Sequence, residues 1–260
     1  MLSLREGLML EDGGVDSQVG GGGKTTLMIK LARELSMAGE PVLTTTTTKI
    51  FEPSSDHTGG VILSDSVTNI LDRAGKMLDR QLHLTAAVGK LSESGKLVGF
   101  QPDVIGELWN AGLFQWIIVE ADGAAGKPLK APAAHEPVIP ACTQRLVAVV
   151  GLNGVGQPLT ERLVFRHAHF ARLTGLRLGS SVTASAIADV LVRNEGLFKG
   201  FCPEARRIAF FNQADVGENF STGQRVARIL SRRNNTGLTR VVIGQILFDP
   251  PVLEVYNLDP

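Results

Sequence analysis

Four consecutive glycines, Gly20 to Gly23, run directly into Lys24, Thr25 and Thr26 and then into a helical pattern. Such a turn has no Cβ atoms to obstruct it, so its N–H groups can converge on phosphate oxygens while the helix behind directs its positive end to the same place. In the Walker A pattern G-x-x-x-x-G-K-[ST], the lysine reaches the terminal phosphates and the hydroxyl ligates magnesium. Gly23-Lys24-Thr25 supplies the end of that pattern, but Gln18 stands where its first glycine belongs. The chemistry expected is therefore binding of GTP or ATP with Mg2+, the phosphates held by Gly20, Gly21, Gly22, Gly23, Lys24, Thr25 and Thr26. A plain glycine turn before an ordinary helix is the alternative. A dinucleotide-binding turn fits less well, because Thr25 takes the place of its third glycine and no acidic residue ends VLTTTTTKI to hold a ribose.

A second strand of a phosphate-loop enzyme ends in a carboxylate that holds magnesium or positions the nucleophile. WIIVEADG offers Glu120 and Asp122, which lie on one side of an extended segment because strand side chains repeat every two residues. Lys24, Glu120 and Asp122 are thus the catalytic candidates, and Thr25, Glu120 and Asp122 the metal candidates. In FFNQAD, Asn212 and Asp215 stand where the N-K-x-D sequence of a GTPase would, with Gln213 in place of the lysine. An aspartate there selects guanine. Substrate candidates come from two loops: Thr46, Thr47 and Lys49 from TTTTTKI, which could face the terminal phosphate as switch segments do, and Lys130, His135 and Glu136 from LKAPAAHEP. His57, His83, His167 and His169 form no metal-like constellation.

These residues need a scaffold. Leu27, Leu31 and Leu35, with Met28 and Ala32 beside them, recur at helical spacing until Gly39. Residues 1–14 read as a lead-in of uncertain order, and VDSQV before the glycines is too polar for a central buried strand, an expectation that weakens the loop. PVLTTTTTKIF reads as one strand with its following loop. Helices are expected over 65–81 and 102–112, with short extended pieces around the Ser92-Glu93-Ser94-Gly95 turn between them. LFQWIIVE, RLVAVVGL, RIAFFNQAD and TRVVIGQI are apolar runs of the kind found in buried parallel sheets, the last of them closing the sheet. Strands alternating with helices predict an α/β fold of the phosphate-loop NTPase kind, a mostly parallel sheet covered on both faces with its ligand at the carboxyl ends of the strands. Residues 1–152 and 207–260 would form this domain, and 153–206, with no convincing strand, a largely helical insertion or subdomain.

Lysine plus arginine equals aspartate plus glutamate, 26 each, so no charge excess points to nucleic acid or an anionic membrane as partner. No apolar run approaches a membrane span. With only Cys142 and Cys202, at no paired spacing, and no signal-peptide pattern, a cytoplasmic setting is expected.

VGGGGKTTL, VLTTTTTKI, IIVEADGAAGKPLKAPAAHEPVIP, VVGLNGVGQPL, Phe165-Arg166 and FFNQAD together resemble the selenium-cofactor biosynthesis proteins of the YqeC type. The long stretch from Glu120 to Pro140 is the distinctive part. Asp16-Ser17-Gln18 departs from the apolar strand of those relatives. The resemblance implies a nucleotide-binding protein acting in maturation of a selenium-dependent molybdenum hydroxylase, with that enzyme or another maturation protein as partner. A slow NTPase is the leading expectation. A small-molecule kinase or ATP-dependent ligase, and a non-enzymatic delivery protein switched by nucleotide, are the alternatives.

Overall fold

A computed structural model describes residues 2–258 of the chain. The amino-terminal segment is ordered by its leucines. Ser3 caps a single turn, α1 (Leu4–Gly7), through a reciprocal bond with Glu6, and Leu4, Leu8 and Leu10 are buried. Then follow β1 (Gly14–Gly20), α2 (Lys24–Met37), β2 (Val42–Thr46), β3 (Lys49–Phe51), β4 (Val61–Leu63), α3 (Val67–Leu78), β5 (His83–Ala87), β6 (Gly89–Lys90), β7 (Lys96–Val98), α4 (Pro102–Asn110) and β8 (Trp116–Glu120). The remainder comprises β9 (Leu129–Lys130), β10 (Arg145–Gly151), β11 (Val164–Phe165), α5 (His167–Thr174), α6 (Ala184–Val192), β12 (Arg206–Asn212), α7 (Asn219–Ser231), β13 (Arg240–Gly244) and β14 (Val252–Asn257).

Nine strands form one sheet in the order β14-β13-β12-β10-β1-β8-β2-β5-β4, parallel except for β14. The apolar runs alternate between its two faces. On one, α1 and α2 cover Trp116, Ile118, Val147, Val149, Ile208 and Phe210. On the other, α3 and α4 cover the half containing Leu43, Leu84, Ile117 and Val119, while α5, α6 and α7 cover Leu146, Ala148, Ala209, Phe211 and Val241. The α/β architecture expected from the sequence is present. Leu27, Leu31 and Leu35 of α2 are wholly buried, and each such side chain contributes about 1.5–3 kcal/mol of burial free energy.

Four local expectations are corrected. The polar VDSQV stretch is the central strand after all, and every residue of β1 is buried. Its polar side chains are only partly partnered: Ser17 shares a 2.8 Å hydrogen bond with the remote Thr143, and Asp16 Oδ2 accepts from the nearby Gln18 Nε2 at 3.4 Å and feels the charge of Arg145, while Asp16 Oδ1 and Gln18 Oε1 are buried without a hydrogen bond. The threonine run is two strands, β2 in the main sheet and β3 in a small antiparallel sheet with β7 and β6. Thr46 Oγ1 breaks the run by accepting the Thr48 N–H. TRVVIGQI is not the last strand, because β14 turns back after Pro250-Pro251 and pairs antiparallel at the edge. Its side chains are mostly half-exposed, so it lacks an apolar run. Within 153–206, β11 pairs with β9, a strand too short to leave a periodic pattern. Among the described residues no helix is long and apolar enough to cross a membrane.

Candidate functional site

Three residues separate the end of β1 from the start of α2. Gly22 must be glycine: its φ is +81°, and a Cβ there would come within 2.4 Å of Gly151 Cα. At Gly23, φ is +126° and a Cβ would lie 2.6 Å from Asn212 Nδ2. Gln18 remains within β1, so the turn begins three residues later than the Walker pattern would place it. Part of this loop's donor capacity is already engaged. The Gly20 N–H donates to Asp122 Oδ2 at 3.0 Å, Gly21 N–H to Val149 O at 2.9 Å, and Gly22 N–H to Lys127 O at 3.0 Å. What remains is the helix end itself, capped by Gly23 without a side-chain hydrogen bond, so its first N–H groups lack intrahelical acceptors and carry the positive end of the dipole.

Lys24 opens α2 and is 4% exposed. Its Nζ donates to Gly20 O at 2.7 Å and lies 3.2 Å from Asp122 Oδ1 and 3.7 Å from Glu120 Oε1. The next residue completes the contact: Thr25 Oγ1 donates to Glu120 Oε2 at 2.6 Å. Burial opposes the charge of Lys24, but Asp122 and Glu120 outweigh it and hold the ammonium above its ordinary range. Burial drives the Glu120 carboxyl above its ordinary range, against the pull of Lys24 and Thr25.

A second buried lysine stands behind the first. Lys130 Nζ pairs with Asp122 Oδ2 at 2.9 Å and with Glu136 Oε2 at 2.7 Å, and also donates to Gly123 O. Both terminal guanidinium nitrogens of Arg166 donate to Glu136, Nη1 to Oε2 and Nη2 to Oε1. Glu136 is pushed up by burial, but the bonds from Arg166 and Lys130 prevail and hold it below the ordinary carboxylate range. Asp122 thus joins two lysines and the glycine loop.

Of the candidates from the sequence, Gly20 to Gly23, Lys24, Thr25, Glu120, Asp122, Lys130 and Glu136 are brought together. Thr26 is exposed on the first turn of α2. The Thr46 and Thr47 hydroxyls are occupied by backbone, donating to Glu120 O at 2.7 Å and Val138 O at 2.6 Å. They fasten β2 to β8 and to the loop after β9. Lys49 is exposed on β3, and His135 is exposed beside the buried Glu136. Asn212 lies under the glycine loop: its Nδ2 donates to Gly22 O at 2.8 Å and its Oδ1 accepts the Ile246 N–H at 3.0 Å. Asp215 is exposed three residues beyond.

Sequence reasoning gave no role to Arg166, whose left-handed backbone (φ 60°, ψ 50°) caps α5, nor to Lys127, whose carbonyl holds the loop. An arginine in that conformation has no one-dimensional signature.

Magnesium fits this donor set of a hydroxyl and two carboxylates. Asp122 Oδ1 is buried and has no directed hydrogen bond. Among the described residues no three His, Cys, Asp or Glu side chains form a protein-only metal cage, and magnesium in phosphoryl sites does not need one, being held by one or two carboxylates and the substrate's phosphates.

Comparison with known proteins returns a family model described as YqeC protein, matching residues 17–168. A protein of Escherichia coli strain K12 named "Uncharacterized protein YqeC" is 36% identical over 205 residues, covering 79% of this chain and 78% of its own length.

Proposed function

The chain belongs to the YqeC family, and from that premise we propose that it is a magnesium-dependent nucleotide-binding protein and slow NTPase serving selenium-cofactor biosynthesis or maturation of a molybdenum hydroxylase. One observation carries the nucleotide reading: Lys24, at the first residue of a helix uncapped by any side chain, lies between Glu120 at the end of the neighbouring strand and Asp122 just beyond it, and Thr25 bonds to Glu120. A glycine turn without a ligand has no use for this arrangement. Burying one ammonium with two carboxylates is costly, and the arrangement suits a site whose charges are redistributed when phosphates enter.

In this reading Thr25, Glu120 and Asp122 hold Mg2+, which supplies charge neutralisation at the phosphates. Lys24 moves from the carboxylates to the phosphate oxygens, the N–H groups of the first turn of α2 bind the same oxygens, and Lys130 keeps Asp122 oriented. Catalysis rests on positioning and fixed charge. Asp215 favours GTP. The selenium role rests on the family resemblance alone.

The test is equilibrium binding of labelled GTP and ATP with Mg2+ to wild type, Lys24→Ala and Asp215→Ala. Binding lost in Lys24→Ala, with GTP preference lost in Asp215→Ala, is the expected result. Binding of both nucleotides that survives Lys24→Ala would remove the phosphate-loop reading.

A further inference from the structure

The site has two sides, and only one carries the carboxylates. β8, which ends in Glu120, borders β1 on one edge, while β10, β12 and β13 lie on the other. If the terminal phosphates sit with Lys24, Thr25 and Glu120, the nucleoside must extend away from them, and the loops after β12 and β13 border that direction. We infer that these loops form the wall that recognises the nucleoside, with Phe248 and Leu247 supplying an apolar face for the base and Gln213 a polar contact. The inference rests on the nucleotide reading above.

Asn212 makes the two loops one body with the phosphate loop, since a single side chain bonds Gly22 O and the Ile246 N–H. A Cβ on Gly23 would lie 3.6 Å from Ile246 Cδ1. The turn beyond Ile246 is also fixed: Phe248 N–H donates to Gln245 O at 3.0 Å, Gln245 N–H to Pro251 O at 3.0 Å, and Lys30 of α2 reaches Phe248 O and Asp249. On this tethered turn Leu247 is 77% and Phe248 55% exposed. Large apolar side chains held to water by a turn bound at both ends suit a planar heteroaromatic ring, which stacks on such a surface whatever its hydrogen-bonding edge.

Gln213 provides the second, independent observation. Its backbone is left-handed at φ 68°, a conformation that costs free energy for a residue with a Cβ, and its carbonyl is held by Asn219 Nδ2 at 2.8 Å. The side-chain Oε1 is buried without a hydrogen-bond donor, on the Gly151 side of the phosphate loop, where a Cβ at Gly151 would lie 2.8 Å from it. Buried acceptors are seldom left without donors. A sugar hydroxyl or a base amino group would supply one.

The experiment compares binding of GTP, ATP and inorganic tripolyphosphate, each with Mg2+, to wild type, Lys24→Ala, Phe248→Ala and the double variant Leu247→Ala/Phe248→Ala, with thermal melts to verify folding. Tripolyphosphate occupies the phosphate loop and has no nucleoside. Phe248→Ala is expected to weaken nucleotide binding about ten-fold and the double variant further, as loss of a base-stacking surface does, with tripolyphosphate affinity unchanged. Equal weakening of tripolyphosphate, or unchanged nucleotide affinity, would overturn the inference. Lys24-dependent tripolyphosphate binding as tight as that of the nucleotides would overturn it while sparing the phosphate loop. Failure of wild type to bind any of the three would overturn both readings.

Discussion

Lys130→Met isolates the buried charge network from the rest of the site. Lys130 is wholly buried and joins Asp122, Glu136 and the Gly123 carbonyl. Removing one partner of a buried ion pair typically costs about 3–5 kcal/mol, because the other charge is stranded. Here both stranded groups keep some support: Asp122 retains Lys24 and the Gly20 N–H, and Glu136 retains Arg166. The lower figure is therefore expected, about 3 kcal/mol of a total in the range of roughly 5–15 kcal/mol, so the variant still folds. In urea the midpoint should fall by about 1 M for a denaturant slope near 3 kcal/mol per molar. The pH dependence adds a sign. Glu136 sits below its ordinary range in the native protein, so its contribution is present at neutral pH and is lost as pH falls through the native value. Met at 130 removes one of its two donors and shrinks that contribution. The stability gap between wild type and variant should accordingly hold steady from pH 7 to 5 and narrow as pH is lowered below the ordinary carboxylate value of 4.5. A loss below about 1 kcal/mol, or a gap that widens on acidification, would refute the argument.

Two further perturbations test other parts of the scaffold. Asp16 is wholly buried, and burial, opposed by Arg145, raises its carboxyl from an ordinary 3.8 to about 6; a raised native value means that wild type loses stability as pH rises from 4 to 6, by about 2 kcal/mol at about 1.4 kcal/mol per tenfold change in proton affinity. Asp16→Asn does not titrate, so chemical denaturation should show the variant gaining on wild type over that window, and a constant difference would contradict the assignment. Asn212→Ala removes both bonds between the phosphate loop and the β13–β14 turn and leaves the buried Ile246 N–H without an acceptor, for an expected loss of about 2–3 kcal/mol. Hydrogen exchange should show faster exchange at the Ile246 amide, and unchanged protection there would show that the tether is not structural.

The apolar runs and the helical spacing of Leu27, Leu31 and Leu35 were legible because burial on both faces of a parallel sheet leaves a local mark. So was the meeting of Glu120 and Asp122, two residues apart at a strand end, with Lys24 at a helix start. What misled was chemistry satisfied at a distance. Asp16 and Ser17 read as poor strand residues since Arg145 and Thr143, which face them, lie more than a hundred residues away. Thr46 and Thr47 read as ligands because a hydroxyl's partner is invisible in sequence, and theirs are carbonyls of β8 and of the loop after β9. Asn212, a base-contact candidate by its place in FFNQAD, has a side chain that also holds two loops together, which no local pattern reveals. The Phe248 surface escaped notice because exposure of an apolar residue after a strand is decided by the turn around it.

The polar centre of β1 also bears on how the sheet aligns. Apolar strands buried on both faces are poorly indexed along their length, since a slide of two residues returns each side chain to its own face. Asp16 stands opposite Arg145, and Gln18 opposite Glu120. A two-residue slide would set Asp16 against Val147 and take Ser17 from Thr143, so these residues mark one alignment among otherwise similar ones. The same slide would carry the end of β1 about 6.6 Å along β8 and separate Lys24 from Asp122, now 3.2 Å apart. In this way polar residues in the middle of the sheet index the height at which the glycine turn meets its carboxylates.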